Sequence, residues 1–439
     1  MKTAQRTGRD GPVSTGERSP RAEDQPTAGG DARDPGKERR ASAGIPIVPV
    51  FDGYRAYAIL AIVILHALQN AALSWGPTGN RFQLLLWASD PGESCLDALF
   101  IVSGFVMFLP VAARNGDLGS VKAFAIRRAA RLVPAYWLVL VLMLVLIVAV
   151  PLSPPIRFPG ATEIGLTFTT LEVPAEFVRN QYFIGFEINR AIWTLSADVI
   201  FYVVLVLFAT QYFRRPFVGL VIAAAIAVAW RLFFNNFDSL VAAFGGSVSP
   251  ETMTNLLRDA EIQFPYWAFS FGVGMTSAWL YVMVHERRRF RSLPRHADRI
   301  QLAAIAALAC VVVAVAIAKP ASIRHSPIAA LSFTSVLGVF MLSTALASRA
   351  RQRLFSNRPA RWLGDISYGI YLIHLVVITY LARLFAMPHG TLRAALVWCG
   401  IVVPVSVAWG YLSMRFVERP VRLRAQQYVR RYRHSAAAP

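Results

Sequence analysis

Along the 439 residues, apolar side chains gather in ten runs of close to twenty, separated by shorter polar segments. Runs of that length, without an alternation of period two, match helices that cross the hydrocarbon core of a bilayer. They predict spans at 54–74, 93–112, 133–151, 191–213, 217–234, 264–284, 300–318, 328–348, 366–387 and 393–414. The expected fold is therefore all-α, a polytopic integral membrane bundle of about ten helices rather than a string of globular domains. Residues 1–44 mix charge, Gly, Pro, Ser and Thr with no hydrophobic period. Such a segment buries too little apolar surface to offset its ordering entropy, so it is read as a disordered tail. That leaves 45–422 as the transmembrane domain and 423–439 as a basic C-terminal tail. The polar start lacks the apolar stretch of a cleavable signal peptide, so the first span is expected to act as its own insertion signal.

Composition agrees with this reading: 55% of residues are hydrophobic and the mean hydropathy is +0.46. The net charge of +20, from 45 basic and 25 acidic residues, suggests nucleic acid only until the charges are located. Segments 113–132, 214–216, 285–299 and 349–362 carry five, two, six and five basic residues, and seven follow Met414. The alternate segments hold few; 235–263 has Arg258 against Asp238, Glu251, Asp259 and Glu261. This is the positive-inside pattern, which places both termini in the cytoplasm and excludes a nucleic-acid role for the charge. Cys95, Cys310 and Cys399 are scattered and make neither a disulfide framework nor a metal site. The long segment 152–190, rich in Pro, Gly and aromatic residues, suits an ordered extracytoplasmic lid or partly re-entrant loop.

Against that background the ionisable residues inside spans stand out. Arg55 and His66 lie eleven residues apart on the first span. That separation is three turns plus about 20°, so both share one face, and the rise of about 16 Å sets His66 near mid-membrane when Arg55 is at the headgroups. Ionisable groups at such depth mark functional paths more often than packing contacts, and neutral imidazole suits proton transfer. In AFAIRRAARLVPAYW, Arg127, Arg128 and Arg131 precede the third span; by charge alone they are topology anchors first and a phosphate clamp second. DALFIVSGF places Asp97, Ser103 and Gly104 on the second span, and WTLSADVIFY places Trp193, Ser196 and Asp198 on the outer part of the fourth. Asp198 suits three tasks equally: orienting His66, binding an acceptor hydroxyl, or pairing structurally. Ser367, Tyr371 and His374 form one stripe of the ninth span, a pattern more common for packing. RFVERP ends the tenth span, with Glu418 placed to neutralise an arginine or cap a basic end.

Taken in order, DGYRAYAILAIVILH, DALFIVSGF, RRAARLVPAY, WTLSADVIFY, SYGIYLIH and VERP resemble the acyltransferase 3 family of bacterial polytopic membrane acyltransferases. The resemblance covers about residues 48–422. It implies a ten-helix core in the bacterial cytoplasmic membrane and transfer of an acyl group, often acetyl, from cytoplasmic acyl-CoA. The acceptor it implies is a hydroxyl of an extracytoplasmic or lipid-linked molecule, such as an envelope carbohydrate, a glycolipid or a secondary metabolite of the macrolide kind. The family's first-helix motif falls on Arg55 and His66, and its arginine cluster on Arg127, Arg128 and Arg131, which raises the phosphate reading of that cluster. Two features depart from many members. Asp198-Val199 stands where two consecutive acids are common, and no hydrolase-like domain follows within this sequence, so a separate extracytoplasmic transfer protein is one expected partner.

The expected mechanism holds the nucleotide of acyl-CoA at Arg55, Arg127, Arg128 and Arg131, with the thioester near His66 and no permanently bound cofactor. His66 then serves as general base, and an acyl-histidine intermediate is equally compatible with the residues. Ser103, Tyr371 or a backbone N–H near Gly104 are candidate oxyanion donors. Asp97, Trp193, His374 and Glu418 are assigned to substrate or structural support. The rival reading is a transporter or flippase, which usually shows paired repeats and broken helices that this sequence lacks.

Overall fold

The computed structural model describes residues 47–71, 91–179, 188–285, 287, 290, 292–317 and 326–436. The tail read at 1–44 lies outside the described residues. Those described form helices and no strands, and ten helices are long and apolar enough to cross a membrane.

In chain order the helices are α1 (Val50–Asn70), α2 (Pro91–Ala113), α3 (Val121–Ala149), α4 (Ala161–Phe168), α5 (Glu172–Arg179), α6 (Trp193–Arg214), α7 (Pro216–Asn235) and α8 (Phe237–Ala243). They continue as α9 (Pro250–Glu261), α10 (Phe264–His285), α11 (Leu293–Ile317), α12 (Pro327–Leu346), α13 (Arg349–Ser356), α14 (Arg358–Leu384), α15 (Leu392–Ser413) and α16 (Arg419–Ala436). The expected spans are all present, with three starts displaced by seven residues or more. α3 begins at Val121 rather than 133, α11 at Leu293 rather than 300, and α14 at Arg358 rather than 366, because a polar, arginine-bearing stretch extends each helix beyond its apolar run. Residues 423–436 are likewise helical, and α16 packs along the first turns of α3, with Lys122 Nζ 4.7 Å from the Tyr432 ring centre.

Two cores organise the bundle. α2 and α10 pair most closely, joined by α7 and α12, around Phe105, Phe108, Phe201 and Phe271. α10 is buried on nearly every side, as expected for a helix apolar all round. The α2–α10 crossing depends on glycine: a Cβ on Gly104 would strike the carbonyl of Phe271, and one on Gly274 the carbonyl of Ile101. Small residues permit this approach where no hydrophobic force between helices exists. The second core groups α1, α14 and α15 around Ile62, Val63, Ile370 and Trp398. α1 touches both groups and so carries its polar face between them.

The segment expected as a lid is ordered over its described part. Tyr136 Oη donates to the Thr167 carbonyl at 2.7 Å, Trp137 Nε1 to that of Phe168 at 3.1 Å, and Gln263 Nε2 to that of Val173 at 3.1 Å. Asn189 Nδ2 donates to the Leu372 carbonyl at 2.6 Å, tying the lid's end to α14. Ser196 Oγ lies 2.8 Å from both the Thr170 carbonyl and Glu172 Oε1. One hydroxyl proton cannot serve both acceptors. Burial pushes Glu172 from the ordinary glutamate value of 4.5 up to about 7. In its protonated form the carboxyl donates to Ser196, which donates onward to Thr170.

Because the folded value is raised, this contribution is complete below about pH 4.5 and is lost as pH rises through about 7. Hydrogen exchange across 161–179, corrected for intrinsic rates, should therefore be slower at pH 5 than at pH 8. Glu172→Gln should remove the difference.

Candidate active site

α1 delivers the site's two ends. Arg55 stands near its start and His66 eleven residues further on. His66 Nδ1 lies 3.0 Å from Nε2 of His374 on α14, with the two ring planes 11° apart. His374, fully buried, places its Nδ1 2.5 Å from the carbonyl oxygen of Tyr371. Tyr371 Oη donates to the Ala191 carbonyl at 3.0 Å and accepts from Thr194 Oγ1 at 3.2 Å. The α14 stripe, expected to be a packing seam, thus carries the partner of the first-span histidine. Asn70 Nδ2 donates to the His66 carbonyl at 2.9 Å and secures the end of α1.

Beneath the histidines lies a layer of half-buried charge. Asp198 accepts a hydrogen bond from Ser103 Oγ at 2.8 Å, and Arg55 and Arg128 lie within electrostatic range of it. Asp198 therefore joins the arginines; among the described contacts it does not reach His66, whose ring partner is His374. Arg131 lies within range of Arg55, Arg128 and Glu418, while Arg127 adjoins Arg128. Glu418 is fully buried in a π turn over Met414–Glu418, with Arg131 and Arg422 within electrostatic range. The π turn has a local cause: Pro420 has no N–H with which to continue the regular ladder. Tyr202 and Tyr368 complete the layer, with Tyr368 Oη donating to the Leu132 carbonyl at 3.1 Å.

Arg55, Arg127, Arg128, Arg131 and Arg422 are linked electrostatically with Asp52, Asp198, Asp365 and Glu418. Arg128 Nε and Glu418 Oε2 are buried without a hydrogen-bond partner among the described residues. An unmet guanidinium donor within a cluster of arginines suits an anion with several oxygens.

Other expected members sit elsewhere or serve otherwise. Asp97 belongs to a second polar set: Ser270 Oγ hydrogen-bonds its Oδ1, Thr334 Oγ1 donates to the same oxygen at 3.0 Å, and buried Arg231 is within electrostatic range. Trp193 packs against Phe100 and Trp267, with ring centres 6.3 and 6.0 Å away. The hydroxyl protons of Ser103 and Tyr371 are directed to Asp198 and Ala191. Gly104 lies at the α10 crossing. Among the described residues no group of three or more His, Cys, Asp or Glu is placed to hold a metal ion. Thr194, Tyr202 and Tyr368 were missed, although Tyr202 follows Asp198 by one helical turn and Tyr368 precedes Tyr371 by three residues, so both share a face with a singled-out residue.

Comparison with known proteins gives this geometry a context. Residues 48–414 match a family model described as an acyltransferase domain, Acyl_transf_3. The chain is 24% identical over 395 residues to the peptidoglycan O-acetyltransferase OatA of Listeria monocytogenes, covering 85% of this chain and 56% of that protein. It is 25% identical over 398 residues to nodulation protein 10 of Rhizobium leguminosarum, covering 87% and 95%. It is 24% identical over 385 residues to the putative peptidoglycan O-acetyltransferase YrhL of Bacillus subtilis, covering 85% and 55%. The chain thus spans about half the length of the two O-acetyltransferases. No solved structure matches.

Removing the carboxylate from the charged layer should cost more than removing its hydroxyl partner. Asp198→Ala strands half-buried guanidinium groups and should cost about 3 kcal/mol or slightly more, the lower end for a buried pair. Ser103→Ala loses one hydrogen bond to a charged group, about 1.5–3 kcal/mol. Thermal unfolding of both variants in detergent measures the order, and equal melting temperatures would contradict the placement of Asp198.

Proposed function

Because the chain belongs to the acyltransferase 3 family, we propose that it is an integral membrane O-acyltransferase using acyl-CoA, with acetyl-CoA as the preferred donor. The acceptor is a hydroxyl of an extracytoplasmic or membrane-associated envelope carbohydrate or glycolipid. Two relatives bearing the name peptidoglycan O-acetyltransferase support the acetyl group and the envelope glycan. The loop charges favour a multi-pass protein of the bacterial cytoplasmic membrane with the arginine layer toward the cytoplasm.

One observation carries this reading: Arg55, which lies within range of Arg131 in the α3 arginine cluster with its unmet guanidinium donor, shares one face of α1 with the mid-bundle imidazole of His66. The rise between them is about 16 Å. The diphosphate and ribose phosphate of the donor bind Arg55, Arg127, Arg128 and Arg131, which keeps the nucleotide at one face. The pantetheine arm then spans the rise and presents its thioester at His66. An acceptor hydroxyl approaching from the opposite side attacks the thioester carbon while His66 takes its proton. The tetrahedral species collapses, the C–S bond breaks, and the thiolate recovers a proton from His66. Only the acyl group crosses the bundle. Asp198 and Glu418 hold the arginines in place, and a separate extracytoplasmic protein receives the acyl group where the final acceptor is remote.

Membranes or detergent-purified protein, supplied with acetyl-CoA and peptidoglycan fragments, give a free-thiol readout. His66→Ala should lower turnover by about 10²–10⁴-fold. Arg128→Gln and Arg131→Gln should raise the KM for acetyl-CoA by about tenfold to a hundredfold, the weight of one charge-assisted hydrogen bond. Wild-type turnover in His66→Ala would overturn the role of the imidazole.

A further inference from the structure

The two histidines carry more information than proximity, because hydrogen-bond capacity fixes which of their nitrogens hold protons. We propose that His374 is a positioning residue that locks His66 as its Nδ1–H tautomer and leaves His66 Nε2 as the proton-accepting atom. This rests on the acyl-transfer reading above.

The argument starts at the Tyr371 carbonyl, which only accepts hydrogen bonds. His374 Nδ1, 2.5 Å from that oxygen, must therefore carry a hydrogen. A neutral imidazole has one ring proton, so His374 Nε2 presents a bare lone pair. His66 Nδ1 faces that lone pair at 3.0 Å and must donate to it. The remaining nitrogen of His66, Nε2, then has no proton and is free to take one. The reverse assignment would set two lone pairs against each other at the Tyr371 carbonyl. Adding a second proton to His374 would put an imidazolium at a fully buried position, which desolvation opposes.

The positioning residue is itself held. Tyr371, one turn before His374, is fixed by the Ala191 carbonyl and Thr194. Asn70 anchors the carbonyl of His66. The pair therefore works as an orienter and a base, the division of labour found wherever a third group sets the tautomer of a catalytic imidazole.

In the transfer, the acceptor oxygen bonds to the acyl carbon and its proton moves to His66 Nε2. The positive charge then on His66 is met by a strengthened Nδ1–H bond to His374 Nε2. When the C–S bond breaks, the same proton returns from Nε2 to the thiolate, giving free CoA thiol and neutral His66. In the acyl-histidine route the same lone pair is the nucleophile, so both routes require this tautomer.

Two measurements test the proposal. Solid-state NMR of ¹⁵N-histidine-labelled wild type in lipid bilayers at pH 8, assigned with His66→Ala and His374→Ala, should show both histidines protonated at Nδ1 and bare at Nε2. A proton on His66 Nε2 overturns it without any substrate being involved. In the acetyl-CoA and peptidoglycan-fragment assay, His374→Ala should lower kcat by about 10²-fold, the cost of a misoriented group, with KM for acetyl-CoA within about twofold. His374→Gln, whose side-chain carbonyl can accept near the place of Nε2, should recover about tenfold of that loss. Equal losses in the two variants, or wild-type kcat in His374→Ala, overturn it. The base reading fails separately, by wild-type turnover in His66→Ala; an inactive His66→Ala with an active His374→Ala sinks this inference alone.

Discussion

A guanidinium group inside a membrane bundle is tolerated only where other groups of the protein receive it, and this requirement organises the structure. Arg55 enters on α1, Arg128 and Arg131 on α3, and the acids that answer them come from α6 and the π turn after α15. No two consecutive elements supply the whole layer, so the helices must assemble in one arrangement for the charges to meet. Asp198 lies within range of both Arg55 and Arg128 and accepts from Ser103 of α2, which links four helices through one carboxylate. One guanidinium donor, Arg128 Nε, is nevertheless left buried without a hydrogen-bond partner among the described residues, as is Glu418 Oε2. A structure built only for stability would gain by closing that gap; a structure that receives a polyanionic ligand has reason to keep it open.

Above the layer the chemistry changes character. The histidines sit in close-packed helices, with His374 excluded from solvent and partnered by a backbone carbonyl and the His66 ring rather than by carboxylates. Neutral partners set a tautomer without adding charge. Placing fixed cations at one level of α1 and a neutral base at another separates binding from chemistry along a single rigid element. The lid reaches the same region: Asn189 bonds the Leu372 carbonyl, and Ser196, two residues before Asp198, bonds Thr170 beside Glu172. Closure of the lid and order in the site therefore share residues on α6 and α14.

The ten spans are legible in the sequence because long apolar runs have few alternative folds. Their starts are less so, since the first turns of α3, α11 and α14 are polar and arginine-bearing and read as loops in a hydropathy window. The small lid helices α4 and α5 are short enough that their order comes from tertiary hydrogen bonds, which no local pattern announces. Arg55 and His66 could be singled out because helical period is local information. The pairing of His66 with His374 spans 308 residues and depends on how α1 meets α14, so the stripe on α14 looked like packing. For the same reason Asp198 could be flagged as costly in a span while its partner stayed open among three choices. Arg231, 8% exposed and stacked 3.6 Å over Tyr266, carried a signal that was passed over: a lone arginine inside an apolar run.

The central claim is that one donor lies along α1, its nucleotide at the arginines and its acyl group at His66. A CoA thioester whose acyl chain carries a photoreactive diazirine addresses this directly, with the labelled peptides mapped by mass spectrometry. Labelling within 59–70 of α1 and 368–378 of α14, competed by acetyl-CoA, is the expected result. Label confined to the segments between helices, or indifferent to competition by acetyl-CoA, would contradict it.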